Sequence, residues 1–208
     1  MSRGRFITLE GPEGSGKTTA ARHLVEWLRG VGVPTVLTAE PGGTPLGEEV
    51  KRIVLHMRGM SDDLEPRADA LLYAAGRAQH TSRVIRPALE RGEWVVSSRY
   101  IDSSMAYQGA GYGNDLDEMR RLQSFATGGL RPDLTILLDV PPSVGRRRNQ
   151  GTADRLETEA DNFHVSVRAA YLARATTQPE RYVVVDATLP AEHVDAAILD
   201  GVKKLGLL

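Results

Sequence analysis

Residues 8–19 read TLEGPEGSGKTT, and no other stretch narrows the possible folds as much. An apolar run, RFITLE at 5–10, meets Gly11, Pro12, Glu13, Gly14, Ser15 and Gly16, after which Lys17 and Thr18 open a segment with helical apolar spacing. The pattern G-x-x-x-x-G-K-[ST], from Gly11 to Thr18, predicts a strand, a glycine-rich loop and a helix in succession. Gly11, Gly14 and Gly16 admit dihedrals that other residues resist, so successive amides can turn inward on anionic oxygens. The helix start near Lys17 adds about half a positive charge. In such a cradle Lys17 reaches the β- and γ-phosphates of a nucleoside triphosphate, and Thr18 ligates Mg²⁺.

The rest of the chain supplies strands to flank that loop. Strand-like runs occur at 5–10, 34–39, 93–98, 133–140 and 181–187, mostly continuous in Val, Ile, Leu and Thr. Continuity of that kind marks strands buried on both faces of a parallel sheet. Helical spacing fills the intervals, at about 17–30, 46–57, 66–91, 115–128, 142–149, 157–176 and 191–205. The alternation predicts an α/β fold with a doubly wound, parallel, five-stranded sheet flanked by helices, a three-layer sandwich of the P-loop NTPase type. One domain is expected over 1–208, with a lid segment at about 145–157. Ligands of such sheets sit beyond the carboxyl ends of the strands. Glu10 into Gly11, Ala39 into Glu40 and Ser98 into Arg99 occupy such ends, so their loops are expected to meet in one cleft.

Composition removes several classes of function. With 26 basic and 27 acidic residues the net charge is −1, without the basic excess of a general nucleic-acid binder. No cysteine is present, which excludes a disulfide framework and thiolate metal sites and is compatible with a cytoplasmic location. The first residues enter a strand directly, so no secretory signal is expected. The apolar runs are of strand length, far short of a membrane span.

Kinases, ATPases and GTPases all share the loop. A switch GTPase needs a guanine-reading N-K-x-D, and none occurs; a large motor ATPase needs more chain. A second set of polar residues suits a phosphate-bearing acceptor. TAEPGGTPLGEEVKR (38–52) brings Glu40 and Lys51 near the cleft. LLYAAGRAQH (71–80) puts Tyr73 and Arg77 on one helix face, able to stack on a base and donate to its edge, or else to serve as a core tyrosine and a solvated arginine. VVSSRYIDSSMAYQGAGYG (95–113) carries Arg99, Ser104, Tyr107 and Gln108. GRRRNQGTADRLETE (145–159) gathers Arg146, Arg147, Arg148 and Arg155, which beside a P-loop reads as a lid over ATP. His23, His56, His80 and His164 lack partners at metal-ligand spacing and read as packing or surface residues. Asp139 reads as a structural hydrogen-bonding residue.

Six ordered segments, FITLEGPEGSGKTT, EPGGTPLGEE, LLYAAGRAQH, RYIDSSMAYQGAGYG, LRPDLTILLDV and DRLE, make the chain resemble the bacterial thymidylate kinase family from end to end. The resemblance implies transfer of the ATP γ-phosphoryl group to dTMP with Mg²⁺. It implies that Glu13 faces the acceptor, that Arg99 grips the acceptor phosphate with Lys51 as helper, and that Tyr73 stacks on thymine. It further implies Arg77 at a thymine carbonyl, Ser104 and Gln108 at the base, Tyr107 against the sugar, Arg148 against adenine and Arg155 over the phosphates. Family members are commonly homodimers, which makes the 66–91 helix a candidate interface.

Three positions depart from the family's habit. Ser98 stands where an aspartate usually precedes Arg-Tyr and helps to place magnesium, Ala39 stands where an arginine usually precedes Glu-Pro-Gly, and Gly76 replaces an acidic residue. One reading is a working kinase in which a neighbour compensates, Asp102 being an available carboxylate. The other is a diverged paralogue with another small acceptor, or a nucleotide-binding protein with weak or lost catalysis.

Overall fold

A computed structural model describes residues 3–56, 64–148, 156 and 159–204. Five strands form one all-parallel sheet: β1 (Phe6–Glu10), β2 (Thr35–Ala39), β3 (Trp94–Ser98), β4 (Leu134–Asp139) and β5 (Tyr182–Asp186), in the order β2-β3-β1-β4-β5. The three inner strands are buried nearly throughout, whereas β2 and β5 alternate between buried and open positions. Edge strands have a neighbour on one side only, and Leu37, Ala39, Val184 and Asp186 are their exposed positions.

The strand period of two divides the core between the faces. Ile7 and Leu9 join Val96, Ile136 and Leu138 in a cluster that also takes Leu24 and Leu28 of α1 (Lys17–Gly30) and Val194, Ile198 and Val202 of α9 (Ala191–Lys203). Phe6 packs on the other face with Val95, Ile85, Leu89 and Tyr100, and Leu137 packs there with Tyr107, Phe163 and Tyr171. Each fully buried side chain of this size contributes about 1.5–3 kcal/mol. The face that begins with Phe6 becomes polar along β1: Thr8 bonds Thr135 at 3.0 Å, and Glu10 is fully buried.

The remaining helices are α2 (Pro45–His56), α3 (Pro66–His80), α4 (Arg86–Glu90), α5 (Ile101–Ser104), α6 (Leu116–Thr127), α7 (Pro142–Arg148) and α8 (Asp161–Thr177). The expected single helix over 66–91 is instead α3, a π-helical turn at Thr81–Ile85 and α4. Pro87 explains the break, because it has no N–H to return to the preceding turn. A helical stretch over 101–111, made of α5 and a second π segment at Met105–Gly111, was not expected. Gly109, Gly111 and Gly113 argue locally for a loop. Packing against α8 overrides them, with Tyr107 edge-on to Tyr171 and Phe163.

Helix starts are treated differently around the molecule. Glu65 caps α3 by accepting from the Arg67 and Ala68 amides, and Asp115 does the same for α6. The start of α1 has no side-chain cap, and Gly16 precedes it at φ 87°. Its first amides are left to whatever occupies the cleft.

Candidate active site

The three expected loops converge at the carboxyl end of the sheet on one cavity of about 670 Å³. One side of it is the Gly11–Thr18 loop. The Lys17 ammonium bonds the Pro12 carbonyl at 2.7 Å and Ser15 Oγ at 3.2 Å, folding back over the loop. Burial, joined by repulsion from Arg99, pushes Lys17 down to about 7, against the pull of Glu13 and Glu10. The loop also touches α7. A Cβ on Gly14 would stand 2.1 Å from the Gly145 carbonyl oxygen, and one on Gly145 would stand 2.2 Å from that of Glu13. Only two glycines permit this approach, so the helix that leads into the arginine-rich segment rests directly on the phosphate loop. Arg148, at the end of α7, donates to the Ala187 carbonyl at 2.6 Å. Together with Ala187 and Leu189 it forms the far wall of the cavity.

A second side is built around Arg99, which adopts the left-handed conformation at φ 71°. A residue with a Cβ costs about 1–2 kcal/mol there, so neighbours must hold it. Its guanidinium pairs with Glu13, donates to Ser103 Oγ at 3.2 Å and lies 5.1 Å from the centre of the Tyr107 ring. Tyr107 in turn donates to Glu13 Oε1 at 3.1 Å. Burial favours the neutral acid at Glu13, but Arg99, Lys17 and the Tyr107 bond outweigh it and hold the carboxyl near 2. Burial also pushes the Tyr107 phenol far up, so it stays a donor.

Tyr73, Arg77, Ser104 and Gln108 line the same cavity. Tyr73 packs on Val50 and Val54 of α2. Arg77 is not solvated. It donates through Nε to Glu40 Oε2 at 2.7 Å, to Ser104 Oγ at 2.9 Å, to Gln123 Oε1 and to the Tyr100 carbonyl at 3.0 Å. Those bonds use four of its five N–H groups and leave one Nη2 hydrogen. Gln108 is anchored by Asp69 at 2.9 Å. Glu40 points at Arg77 and at His80 Nδ1, 2.8 Å away, while His80 Nε2 meets Thr38 Oγ1 at 2.7 Å. Lys51 reaches the cavity rim, with Glu48 3.8 Å away.

Some expectations change. Asp102 is no substitute for the aspartate absent at position 98. It is completely buried, is not among the residues that line the cavity, and is bonded to Arg174 and Arg181. Burial opposes its charge, but the two guanidiniums hold its carboxyl down near 2. Asp139 pairs with Arg168 at 2.8 Å, as a structural role requires. His23, on α1, is an exposed surface residue, and it meets Asp195 at 2.7 Å where both line the cavity. Arg155, most of the 145–157 segment and the His56 side chain lie outside the described residues.

Sequence reasoning missed Glu10, Ser103 and Tyr171. Glu10 accepts from the Tyr100 amide at 2.7 Å, from Ser103 Oγ at 2.6 Å and from the Tyr171 hydroxyl at 3.1 Å. Burial raises its carboxyl, helped by the nearby charge of Asp102 and opposed by the Ser103 bond, Arg99 and the Tyr100 amide. The available signal was a carboxylate at an inward position of a central strand, next to the glycine loop.

A parallel sheet with a glycine loop after β1, and an acceptor pocket fed by the loops after β2 and β3, defines a P-loop kinase for a small acceptor. A family profile described as thymidylate kinase matches residues 9–198, and the chain belongs to that family. The thymidylate kinase of Leifsonia xyli subsp. xyli is 56% identical over 205 residues, 95% of each chain. That of Deinococcus radiodurans is 48% identical over 208 residues, 99% of this chain and 100% of its own. The crystal structure of thymidylate kinase from Ehrlichia chaffeensis superposes with a TM-score of 0.77 at 30% identity, covering 99% of both chains. The family's chemistry is ATP-dependent phosphoryl transfer, and nothing in these comparisons favours the diverged-acceptor alternative.

Proposed function

We propose that this chain transfers the γ-phosphoryl group of ATP to dTMP, giving ADP and dTDP. The observation that carries the proposal is one cavity lined both by Lys17 with its glycine loop and by Arg99, Tyr73 and Arg77. Donor and acceptor phosphates can therefore share one site, and positioning with charge stabilisation is most of what phosphoryl transfer asks of a protein. The loop amides and Lys17 hold the β- and γ-phosphates. Arg99 holds the acceptor phosphate, Tyr73 stacks on the base, Arg77 with Ser104 and Gln108 reads its edge, and Tyr107 crowds the sugar. Arg148 covers adenine, and Arg155 of the 145–157 lid is assigned to the transferring phosphoryl.

Mg²⁺ is the proposed companion of ATP. The exposed Thr18 hydroxyl and the ionised Glu13 carboxylate are hard oxygen donors of the kind the ion takes, and the triphosphate supplies the rest. When bound, the ion offsets negative charge on the transferring phosphoryl group. A homodimer is also proposed. The packed helices α3 and α6 expose Leu71 at 58% and Phe125 at 89%, areas that a second copy would cover. We place the chain in the cytoplasm, where ATP and deoxynucleoside monophosphates are met; no described helix is long and apolar enough to cross a membrane.

A coupled ADP-release assay with dTMP, dUMP, dCMP and dGMP tests the acceptor. The highest kcat/KM is expected for dTMP, with dUMP lower by about 10–200-fold, since a methyl group discriminates no further. Equal rates with all four, or none with dTMP, would overturn the proposal.

A further inference from the structure

We infer that Glu10 is a positioning residue that sets Arg99 for the acceptor phosphate, acting from beneath the site without touching substrate. The inference rests on the acceptor reading of Arg99 given above.

Glu10 is fully buried and is not among the residues that line the cavity. Its two oxygens nevertheless hold the groups that flank Arg99, the following peptide directly and the side chain through Ser103. Oε1 accepts from the Tyr100 amide at 2.7 Å, fixing the peptide that follows Arg99. The peptide before it is fixed by the same strand end, where the Arg99 amide donates to the Leu9 carbonyl at 2.9 Å. Ser97 Oγ closes the turn on the Arg99 carbonyl at 2.8 Å. Oε2 accepts from Ser103 Oγ at 2.6 Å, and Ser103 Oγ in turn accepts from the Arg99 guanidinium at 3.2 Å. Tyr171 braces the arrangement from α8, 2.8 Å from Ser103 Oγ and 3.1 Å from Glu10 Oε2.

An arginine in a left-handed conformation is held only where its surroundings over-determine it. Here the end of β1 provides that determination. A buried carboxylate could be replaced by an apolar side chain of similar size if stability alone were served. What the carboxylate adds is three accepted bonds, from the Tyr100 amide, Ser103 and Tyr171, of which the first fixes the peptide after Arg99 and the second the hydroxyl that takes its guanidinium. A misplacement of that cation by an ångström would weaken its hold on a phosphate far more than the fold.

The test compares dTMP with thymidine by calorimetric titration of the folded protein, because the difference in affinity reports the grip on the phosphate alone. Glu10→Gln keeps the shape but offers an amide group to donors. It is expected to shrink the dTMP-over-thymidine preference by about tenfold or more, as loss of a charged hydrogen bond does, with thymidine and ATP affinities held within about twofold. Ser103→Ala, which cuts one branch only, should show the same pattern to a smaller degree and serves if Glu10→Gln folds poorly. In an Arg99→Met background, Glu10→Gln should have no further effect. A wild-type preference left intact by both substitutions sinks the role of Glu10 alone. Equal wild-type affinity for dTMP and thymidine sinks the acceptor reading and this role with it.

Discussion

Glu40 and Arg77 form an ion pair 2.7 Å apart in which neither side chain is more than 4% exposed. The pair joins the loop after β2 to the helix that carries Tyr73 and Arg77, so one carboxylate helps decide where Arg77 points. Glu40→Gln leaves the Arg77 guanidinium buried without its counter-charge. Breaking a buried pair in this way costs about 3–5 kcal/mol. Thermal denaturation should show a loss of about 6–20 °C, at about 2–4 °C per kcal/mol for a chain of this size. The KM for dTMP should rise more than that for ATP. An unchanged melting temperature would show that Ser104, Gln123 and the Tyr100 carbonyl suffice to hold the arginine.

Lys17 gives a pH-dependent signature. Burial and the neighbouring Arg99 set its ammonium near 7 instead of 10.5, so much of it is neutral at pH 8 in the free protein. A triphosphate brings negative charge and restores the ammonium, which requires a proton from solvent. Calorimetry of ATP binding at pH 8 in buffers of different ionisation enthalpy should therefore report net proton uptake. Uptake should fade below about pH 6, where the lysine is already charged. Lys17→Ala should abolish the uptake and lower kcat by about 10²–10³-fold or more while the protein stays folded. Proton release, or uptake that survives the substitution, would assign the titration to another group.

Gly145 offers a mutation outside the cavity. A methyl group there would press on the Glu13 carbonyl oxygen, a backbone atom that can yield only by moving the phosphate loop. Gly145→Ala should destabilise the fold by about 1–3 kcal/mol and raise the KM for ATP more than that for dTMP. Kinetics with each substrate varied at saturation of the other separate these outcomes from general damage, which would affect both alike.

Phe125 tests the assembly. Phe125→Glu adds a charge to an already exposed side chain on α6, so the monomer fold should be little affected, within about 0.5 kcal/mol. Sedimentation velocity should shift from dimer for the parent chain to monomer for the variant. A parent that sediments as a monomer at micromolar concentration would refute the interface.

Much of the fold could be read directly from the sequence, because the inner strands are continuous apolar runs and the glycine loop has fixed spacing. Strand positions, sheet class and the convergence of three loops follow from that local information. Departures arise where tertiary contacts outweigh local preference. The 101–111 helix survives three nearby glycines only because Phe163 and Tyr171 pack against it. Arg77 looked like a helix-face arginine because its partners, Glu40, Ser104 and Gln123, lie 27 to 46 residues away. Asp102 could be seen as a spare carboxylate for the same reason: nothing nearby announces Arg174 or Arg181. Glu10 was hidden by the motif beside it, which draws attention to the loop and away from the strand end that supports it.

The bare start of α1 has a thermodynamic consequence. Unlike the helices begun by Glu65 and Asp115, it has no side-chain cap among the described residues, and a nucleotide bound as proposed would supply the acceptor for its first amides. Nucleotide occupancy thus completes a secondary structure as well as filling a pocket. At a hundredfold excess over its dissociation constant, any such guest would deepen the native well by about 2.7 kcal/mol, so the resting chain is the less rugged form and the loaded one the more durable.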